Sequence, residues 1–151
     1  MRYWLIKSEP KKMNIDDLAA LPNQTTPWFG IRNYQSRNFM WKQMRVGDAI
    51  LFYHSCCAEP GITGIAQVSK PAYPDTTQFD PSSRYFAPKV SPENPRWFNV
   101  EITFVKKTRL LPIKELRQYP ELSNMRILRA GNRLSITPVD PAEWNYIMDI
   151  I

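Results

Sequence analysis

The sequence has few of the residues on which most catalytic and metal sites depend. Among its 151 residues there is one histidine, His54, and there are two cysteines, the adjacent Cys56 and Cys57. These three side chains do not supply the four ligands of a structural zinc site, and two adjacent cysteines can form only a strained disulfide. We therefore expect no metal, no stabilising disulfide and a cytoplasmic protein with reduced thiols.

Glycine and long apolar runs are scarce as well. Five glycines stand against fourteen prolines, and there is no glycine-rich phosphate-binding loop. No apolar run approaches the roughly 20 residues that cross a membrane, and the N-terminal segment MRYWLIKSEP lacks the apolar core of a secretory signal. Five tryptophans, seven tyrosines and seven phenylalanines argue against disorder. We therefore expect one ordered domain over residues 1–151.

Basic residues outnumber acidic ones and are unevenly distributed. The chain has 20 lysines and arginines against 14 acids, a formal charge of +6. Residues 84–133 hold eleven basic and four acidic residues, a charge of +7, so the remainder carries −1. A basic region beside a neutral one favours a surface that faces a polyanion. The alternative is a solvated surface that is merely basic.

Alternating and apolar segments predict an α+β domain with a mixed or antiparallel sheet. The predicted strands are 3–7, 49–55, 62–69, 97–105, 110–113 and 134–139. About five or six such strands would curl toward a barrel.

Helix-capping signals predict where the helices begin. Asn14 and Asp140 are each followed three residues later by an acidic residue, which is typical of a capping box. The predicted helical segments are 14–21, 32–44, 114–118, 122–129 and 140–150. The proline-rich stretch 71–95 contains several aromatic residues, so we expect an ordered, packed loop rather than a linker.

Three segments combine polar and aromatic residues in a way that a core does not require. They are 7–10, 28–38 and 52–55, and two of them lie at the ends of predicted strands. Aromatic faces can stack on a flat heterocycle while short polar side chains hydrogen-bond its edge. These segments favour a nucleobase site. Core packing of Trp28 and Tyr34 and solvation of Arg32 and Arg37 are the alternative.

A cluster of arginines lies near the C-terminus. Arg126, Arg129 and Arg133 have no acidic residue among them, and in the predicted helix Arg126 and Arg129 share one face. Guanidinium groups near a base pocket would hold the flanking phosphates. The alternative is an exposed basic face without a ligand.

The motifs that run through the chain resemble those of the EVE domain, a PUA-like fold. The resemblance rests on WLIKSEP (4–10), WFGIRNYQSRNFM (28–40), GDAILFYHS (47–55), EPGITGIAQV (59–68), YPDTTQFDP (73–81), WFNVEITFV (97–105) and ILRAGNRLSITPV (127–139). Family patterns have valine and alanine where Ile31 and Ser36 stand, and we expect both differences to be mild. The resemblance implies a curled β-barrel flanked by helices.

The resemblance also implies a pocket that accepts a single modified base, such as a modified cytosine in DNA or a methylated adenine in RNA. The residues that it implies for this pocket are Lys7, Ser8, Glu9, Trp28, Asn33, Tyr34, Arg37, Asn38, Tyr53, His54 and Ser55. It places Tyr73 and Asp75 nearby and Arg129, Arg133 and Ser135 along the rim.

We therefore expect a non-catalytic module without a cofactor that binds nucleic acid, either DNA or RNA. Trp28 would form one wall of the pocket, with Tyr34 or Tyr53 opposite. The base edge would be read by Asn33, Ser8 and Glu9. Phosphates would contact Arg37 and the arginines of segment 126–133.

Three other functions are compatible with the sequence. One is an enzyme that acts on a small molecule or nucleotide through Cys56, His54 or Glu9. A second is an RNA-binding PUA-like protein, because no motif records the 2′-hydroxyl contact that separates RNA from DNA. The third is a scaffold that binds another protein and has no affinity for nucleic acid.

Overall fold

Six strands pair into one sheet in the computed structural model, which describes residues 1–151. In chain order the strands are β1 (Tyr3–Ser8), β2 (Thr25–Pro27), β3 (Ala49–His54), β4 (Gly61–Pro74), β5 (Phe98–Pro112) and β6 (Ile136–Val139). They lie in the order β2-β5-β4-β3-β1-β6, with β1 and β3 parallel and the other pairs antiparallel. The predicted mixed sheet is confirmed. The β-barrel is not closed, because the edge strands β2 and β6 do not pair with each other.

Four α-helices accompany the sheet, namely α1 (Ile15–Ala20), α2 (Tyr34–Asn38), α3 (Ile113–Leu116) and α4 (Pro141–Ile150). Asn14 caps α1 in a complete capping box, and at the start of α4 the Asp140 backbone nitrogen donates to the Glu143 side chain at 3.0 Å, as predicted. A π-helical turn, Phe39–Gln43, extends α2, so the predicted helix 32–44 is observed over residues 34–43. No helix is both long and apolar enough to cross a membrane.

Two predicted elements differ from the structure. Residues 110–113 do not form a strand of their own, because β5 continues through Pro112. Its pairing with β4 shifts register at several points, and such bulges let a long strand bend without ending. The predicted helix 122–129 is replaced by two short 3₁₀ turns, Pro120–Leu122 and Arg126–Leu128. Arg129 has extended backbone angles, so it shares no helical face with Arg126.

Side chains of the central strands alternate between two hydrophobic cores. On one face of the sheet, Ile6 and Phe52 pack with residues of α1 and of the π-helical turn Phe39–Gln43. On the other face, Leu5 and Tyr53 pack with Ile147 of α4. Successive strand residues point to opposite faces, so neighbours such as Phe52 and Tyr53 belong to different environments.

Ser36 is a buried residue of α2 whose hydroxyl has no hydrogen-bond partner. A buried hydroxyl left unpaired costs about 1–3 kcal/mol, so this difference from the family pattern is less mild than the sequence indicates. We expect Ser36→Ala to raise the free energy of unfolding by about 1 kcal/mol, which raises the melting temperature by about 2–4 °C. Thermal unfolding measures this. The exposed control Ser123→Ala should change stability little, and a destabilised Ser36→Ala would show that the hydroxyl is satisfied in solution.

Candidate functional site

A cleft of about 290 Å³ opens where β1 ends beside the segment that follows β2. Lys7, Ser8 and Glu9 line it from the end of β1, and Trp28 lines it from the other segment. The structure therefore brings together four of the residues that the sequence predicts for the site. Met13 and Ile31 add apolar surface to the same cleft.

Backbone and side-chain hydrogen bonds fix the end of β1 at the cleft. The Ser8 hydroxyl donates to the Met13 carbonyl, and the Ser8 carbonyl accepts a hydrogen bond from the Ser55 backbone nitrogen at 2.9 Å. Burial lowers the pKa of Lys7, while the neighbouring Cys56 acts in the opposite direction. Glu9 is exposed and lies 3.4 Å from Lys12. The cleft therefore offers both a cation and a carboxylate to a ligand.

Trp28 is half-buried and forms an apolar wall of the cleft. Its backbone nitrogen donates to the Val100 carbonyl at 2.8 Å, which ties the segment to β5. Its ring meets Phe52 edge-on, with centroids 5.9 Å apart. The Trp28 ring therefore packs against the core and lines the cleft at the same time. Phe52 supports the ring, and the ring still contributes to the cleft surface.

The buried carboxylate of Asp75 holds the segment around Gly30 in place. It accepts hydrogen bonds from the Gly30 backbone nitrogen at 2.8 Å, from Arg32 at 3.1 Å and from the Thr77 backbone nitrogen at 2.9 Å. Burial by itself would raise the pKa of Asp75, but the hydrogen bonds from Gly30, Thr77 and Arg32 outweigh it and lower this pKa. Asp75 therefore acts as a positioning residue behind the cleft.

Tyr85 closes the cleft against Gly30 and was not among the predicted site residues. Gly30 has φ of +84°, and a Cβ there would lie 2.7 Å from Cζ of Tyr85. Only glycine combines this backbone conformation with room for the ring. Tyr85 lies in the predicted proline-rich loop, and no local signal relates it to Gly30, so only the aromatic content of that loop could have pointed to it.

Residues 33–38 lie outside the cleft and have structural partners. The Asn33 side chain caps α2 by accepting from the Ser36 backbone nitrogen at 3.0 Å. Tyr34 stacks on Trp97, so it does not stand opposite Trp28 as predicted. Arg37 donates to the Arg96 carbonyl and to the Asn38 side chain.

Strand alternation separates the three predicted residues at the end of β3. Tyr53 is buried in the other core, where burial raises its pKa to about 12, so it cannot face Trp28. His54 accepts a hydrogen bond from the Ile15 backbone nitrogen at 3.2 Å, and burial lowers its pKa. Ser55 donates a backbone hydrogen bond to Ser8 and does not line the cleft. The two thiols are free and exposed.

The remaining predicted residues do not line the cleft. Tyr73 donates to Glu101 at 2.7 Å, and Ser135 accepts a backbone hydrogen bond from Lys7 at 2.8 Å. Arg126 and Arg129 lie within electrostatic range of Glu143 in α4. None of the arginines of segment 126–133 lines the cleft, so their contact with phosphate stays a prediction.

Three comparisons with known proteins identify the same family over nearly the whole chain. The model of the EVE domain matches residues 2–150. Human thymocyte nuclear protein 1 is 40% identical over 98% of this chain and 73% of its own length. A crystal structure of human THYN1 protein in complex with 5-methylcytosine containing DNA superposes with a TM-score of 0.92, at 40% identity over 99% of this chain and 96% of that one.

Bacterial structures superpose to different degrees. A Pseudomonas putida protein of 42% identity has a TM-score of 0.92 and covers 97% of both chains. An ASCH protein from Zymomonas mobilis, with a TM-score of 0.57 at 9% identity over 99% of both chains, shares the fold alone.

Proposed function

The chain belongs to the EVE domain family, and on that premise we propose that it is a non-catalytic nucleic-acid-binding module that takes a single modified base into the Trp28 cleft. The observation that carries the proposal is the composition of this cleft, in which an aromatic wall, a cation and a carboxylate meet. The DNA complex of human THYN1, a relative of 40% identity, supports the same class of ligand.

The polar groups of the cleft match the hydrogen-bonding edge of cytosine. A carboxylate such as Glu9 can accept from the exocyclic amino group of cytosine. The exposed ion pair between Glu9 and Lys12 is worth only about 0–1 kcal/mol. Exchanging it for a base contact therefore costs little. The Lys7 ammonium can donate to a carbonyl oxygen of the base.

The apolar residues of the cleft suit a methyl group on the base. Met13 and Ile31 line the cleft beside Trp28, and apolar side chains contact the C5-methyl group of pyrimidines in nucleic-acid complexes. Burying one additional methyl group is worth about 0.8 kcal/mol, which corresponds to an affinity about fourfold higher. We therefore propose a 5-methylated cytosine as the base.

The test compares fluorescence anisotropy of matched DNA strands with 5-methylcytosine or cytosine at one position. We expect the methylated strand to bind about fourfold more tightly. Higher salt should lower both affinities, because phosphate contacts release counterions, but should preserve their ratio. Equal affinities would contradict the modified-base cleft, and no binding would favour the scaffold. Tighter binding of a matched RNA strand would favour the RNA-binding alternative.

A further inference from the structure

A row of aromatic and cationic side chains leads away from the cleft. We call Tyr85, Arg32, Trp97, Tyr34, Arg37 and Trp41 the cation–aromatic strip. The Arg32 guanidinium lies 5.1 Å from the ring centroid of Tyr85 and 5.2 Å from that of Trp97. Tyr34 stacks on Trp97 at 4.9 Å. Because Tyr85 also lines the cleft, the strip begins at the cleft wall.

The far end of the strip is held by Arg37. Its guanidinium lies 4.8 Å from the Tyr34 ring and 5.4 Å from the Trp41 ring. Trp41 in turn stacks on Phe98, with centroids 4.3 Å apart and planes 5° apart. Contacts with neighbouring aromatic and cationic side chains hold these rings in fixed orientations, which lowers the entropy cost of placing a flat ligand on them.

Tyr34 presents a largely exposed aromatic ring. Its side chain is among the exposed large hydrophobic residues, at 54%. Trp97 covers one face of the ring. The Arg37 guanidinium lies 4.8 Å from the Tyr34 centroid and 5.8 Å from the Trp97 centroid. A cation directly opposite Trp97 would lie much farther from the Trp97 centroid, because the 4.8 Å distance and the 4.9 Å between the two rings would then nearly add up. Arg37 therefore does not lie directly opposite Trp97 across the Tyr34 ring, and we call the face of Tyr34 that points away from Trp97 its outer face.

Most cations in and around the strip lack acidic partners. Arg32 pairs with Asp75, but Arg37, Lys42, Arg84 and Arg96 form no ion pair. Lys42 lies 5.1 Å from the Trp41 ring, and Arg84 lies 5.2 Å from the Tyr85 ring. Unpaired positive charges beside exposed aromatic faces are typical of surfaces that bind a single-stranded nucleic acid.

We propose that the strip binds unpaired nucleotides next to the base held in the Trp28 cleft, with one base stacked on the outer face of Tyr34. The proposal rests on the proposed function and defines its ligand as a single strand or a locally opened duplex. A base inside an intact duplex is already stacked on both faces, so Tyr34 can take only an unpaired one. The cations beside the ring would hold the flanking phosphates.

The test replaces Tyr34 by leucine, which keeps Trp97 covered but offers no aromatic face, and by phenylalanine, which keeps the face. Stacking is worth about 1–3 kcal/mol per base. We therefore expect Tyr34→Leu to bind a short 5-methylcytosine single strand about five- to 150-fold more weakly. Tyr34→Phe should bind like the parent protein. The control Tyr146→Leu changes a tyrosine of α4 on the other side of the sheet and should leave binding unchanged.

Two further ligands, a mononucleotide and an intact duplex, test the strip proposal and the cleft proposal separately. Tyr34→Leu should bind the mononucleotide of 5-methylcytosine as the parent protein does, because that ligand occupies the cleft alone. Unchanged single-strand affinity in Tyr34→Leu would overturn the strip, as would an equal loss on an intact duplex. A protein that binds the single strand through Tyr34 but never binds the mononucleotide would retain the strip and overturn the cleft.

Discussion

Replacing Asp75 by asparagine is expected to lower the free energy of unfolding by about 3 kcal/mol, the lower end of the range for breaking a buried ion pair. The Asp75 side chain is fully buried, and its two oxygens accept from Gly30, Arg32 and Thr77. Asparagine has the same shape but turns an amino group toward these donors. The Arg32 side chain remains 23% exposed, and its partial hydration keeps the cost at that lower end. Chemical denaturation of both proteins measures it.

Asp80 provides a matched control for this substitution. Its carboxylate accepts from the backbone nitrogen and hydroxyl of Ser82, two residues later, as that of Asp75 does from Thr77. Asp80, however, is exposed and has no arginine partner. Asp80→Asn should therefore change stability by less than about 1 kcal/mol. Equal costs at the two positions would contradict the role of Asp75 as the buried anchor of the cleft wall.

The Asp75 substitution also has a defined pH dependence. Burial would raise the pKa of Asp75, but its hydrogen bonds dominate and hold the pKa below the ordinary value of 3.8. A carboxyl group with a lowered pKa stabilises the fold above its unfolded pKa, and that contribution is lost as the pH falls. The stability difference between the parent protein and Asp75→Asn should therefore shrink as the pH drops through 3.8 and below. A difference that stays constant there would contradict an ionised Asp75.

Replacing Trp28 by alanine is expected to weaken binding of a 5-methylcytosine strand by about 1–3 kcal/mol, the value of one aromatic–base stack. The dependence of affinity on salt should not change, because the indole contacts no phosphate in this arrangement. Trp28→Phe keeps an aromatic face and should recover part of the affinity. Anisotropy titrations at two salt concentrations measure both quantities.

Trp144 is the matched control for Trp28. It is also a half-buried tryptophan that packs on an aromatic ring, stacking on Tyr3 at 4.7 Å. Trp144 packs against the other core and does not line the cleft. Trp144→Ala should therefore lose stability through cavity formation without losing affinity. If the two variants lose affinity equally, the loss at Trp28 reflects folding rather than contact with a base.

Much of the fold was predictable because its signals are local. Asn14 and Asp140 cap helices through residues only three positions away. The continuation of β5 through Pro112 was not predictable in this way. It depends on bulges in the pairing of β5 with β4, and the sequence of one strand does not show how that strand pairs with another. The segment 122–129 contains apolar residues at helical spacing, but its residues pack as separate 3₁₀ turns against the second core.

Part of the site was predictable because some of its residues lie close together in the sequence. Lys7, Ser8, Glu9 and Trp28 lie in two short motifs, and the structure places both motifs at one cleft. The approach of Tyr85 to Gly30 and the stacking of Tyr34 on Trp97 join residues far apart in the chain, so no spacing rule reveals them. The position of Tyr53 in the other core follows from strand alternation once it is known which face of the sheet Phe52 points to.

The most direct measurement is an NMR experiment on the complex of the protein with a strand whose 5-methylcytosine carries a labelled methyl group. If the cleft takes the base, the methyl protons should show nuclear Overhauser effects to the Trp28 indole and to the methyl groups of Met13 and Ile31, which line the same cleft. A bound strand whose labelled methyl contacts only Tyr34 or Trp41, and never Trp28, would contradict the proposal that the cleft selects the modified base.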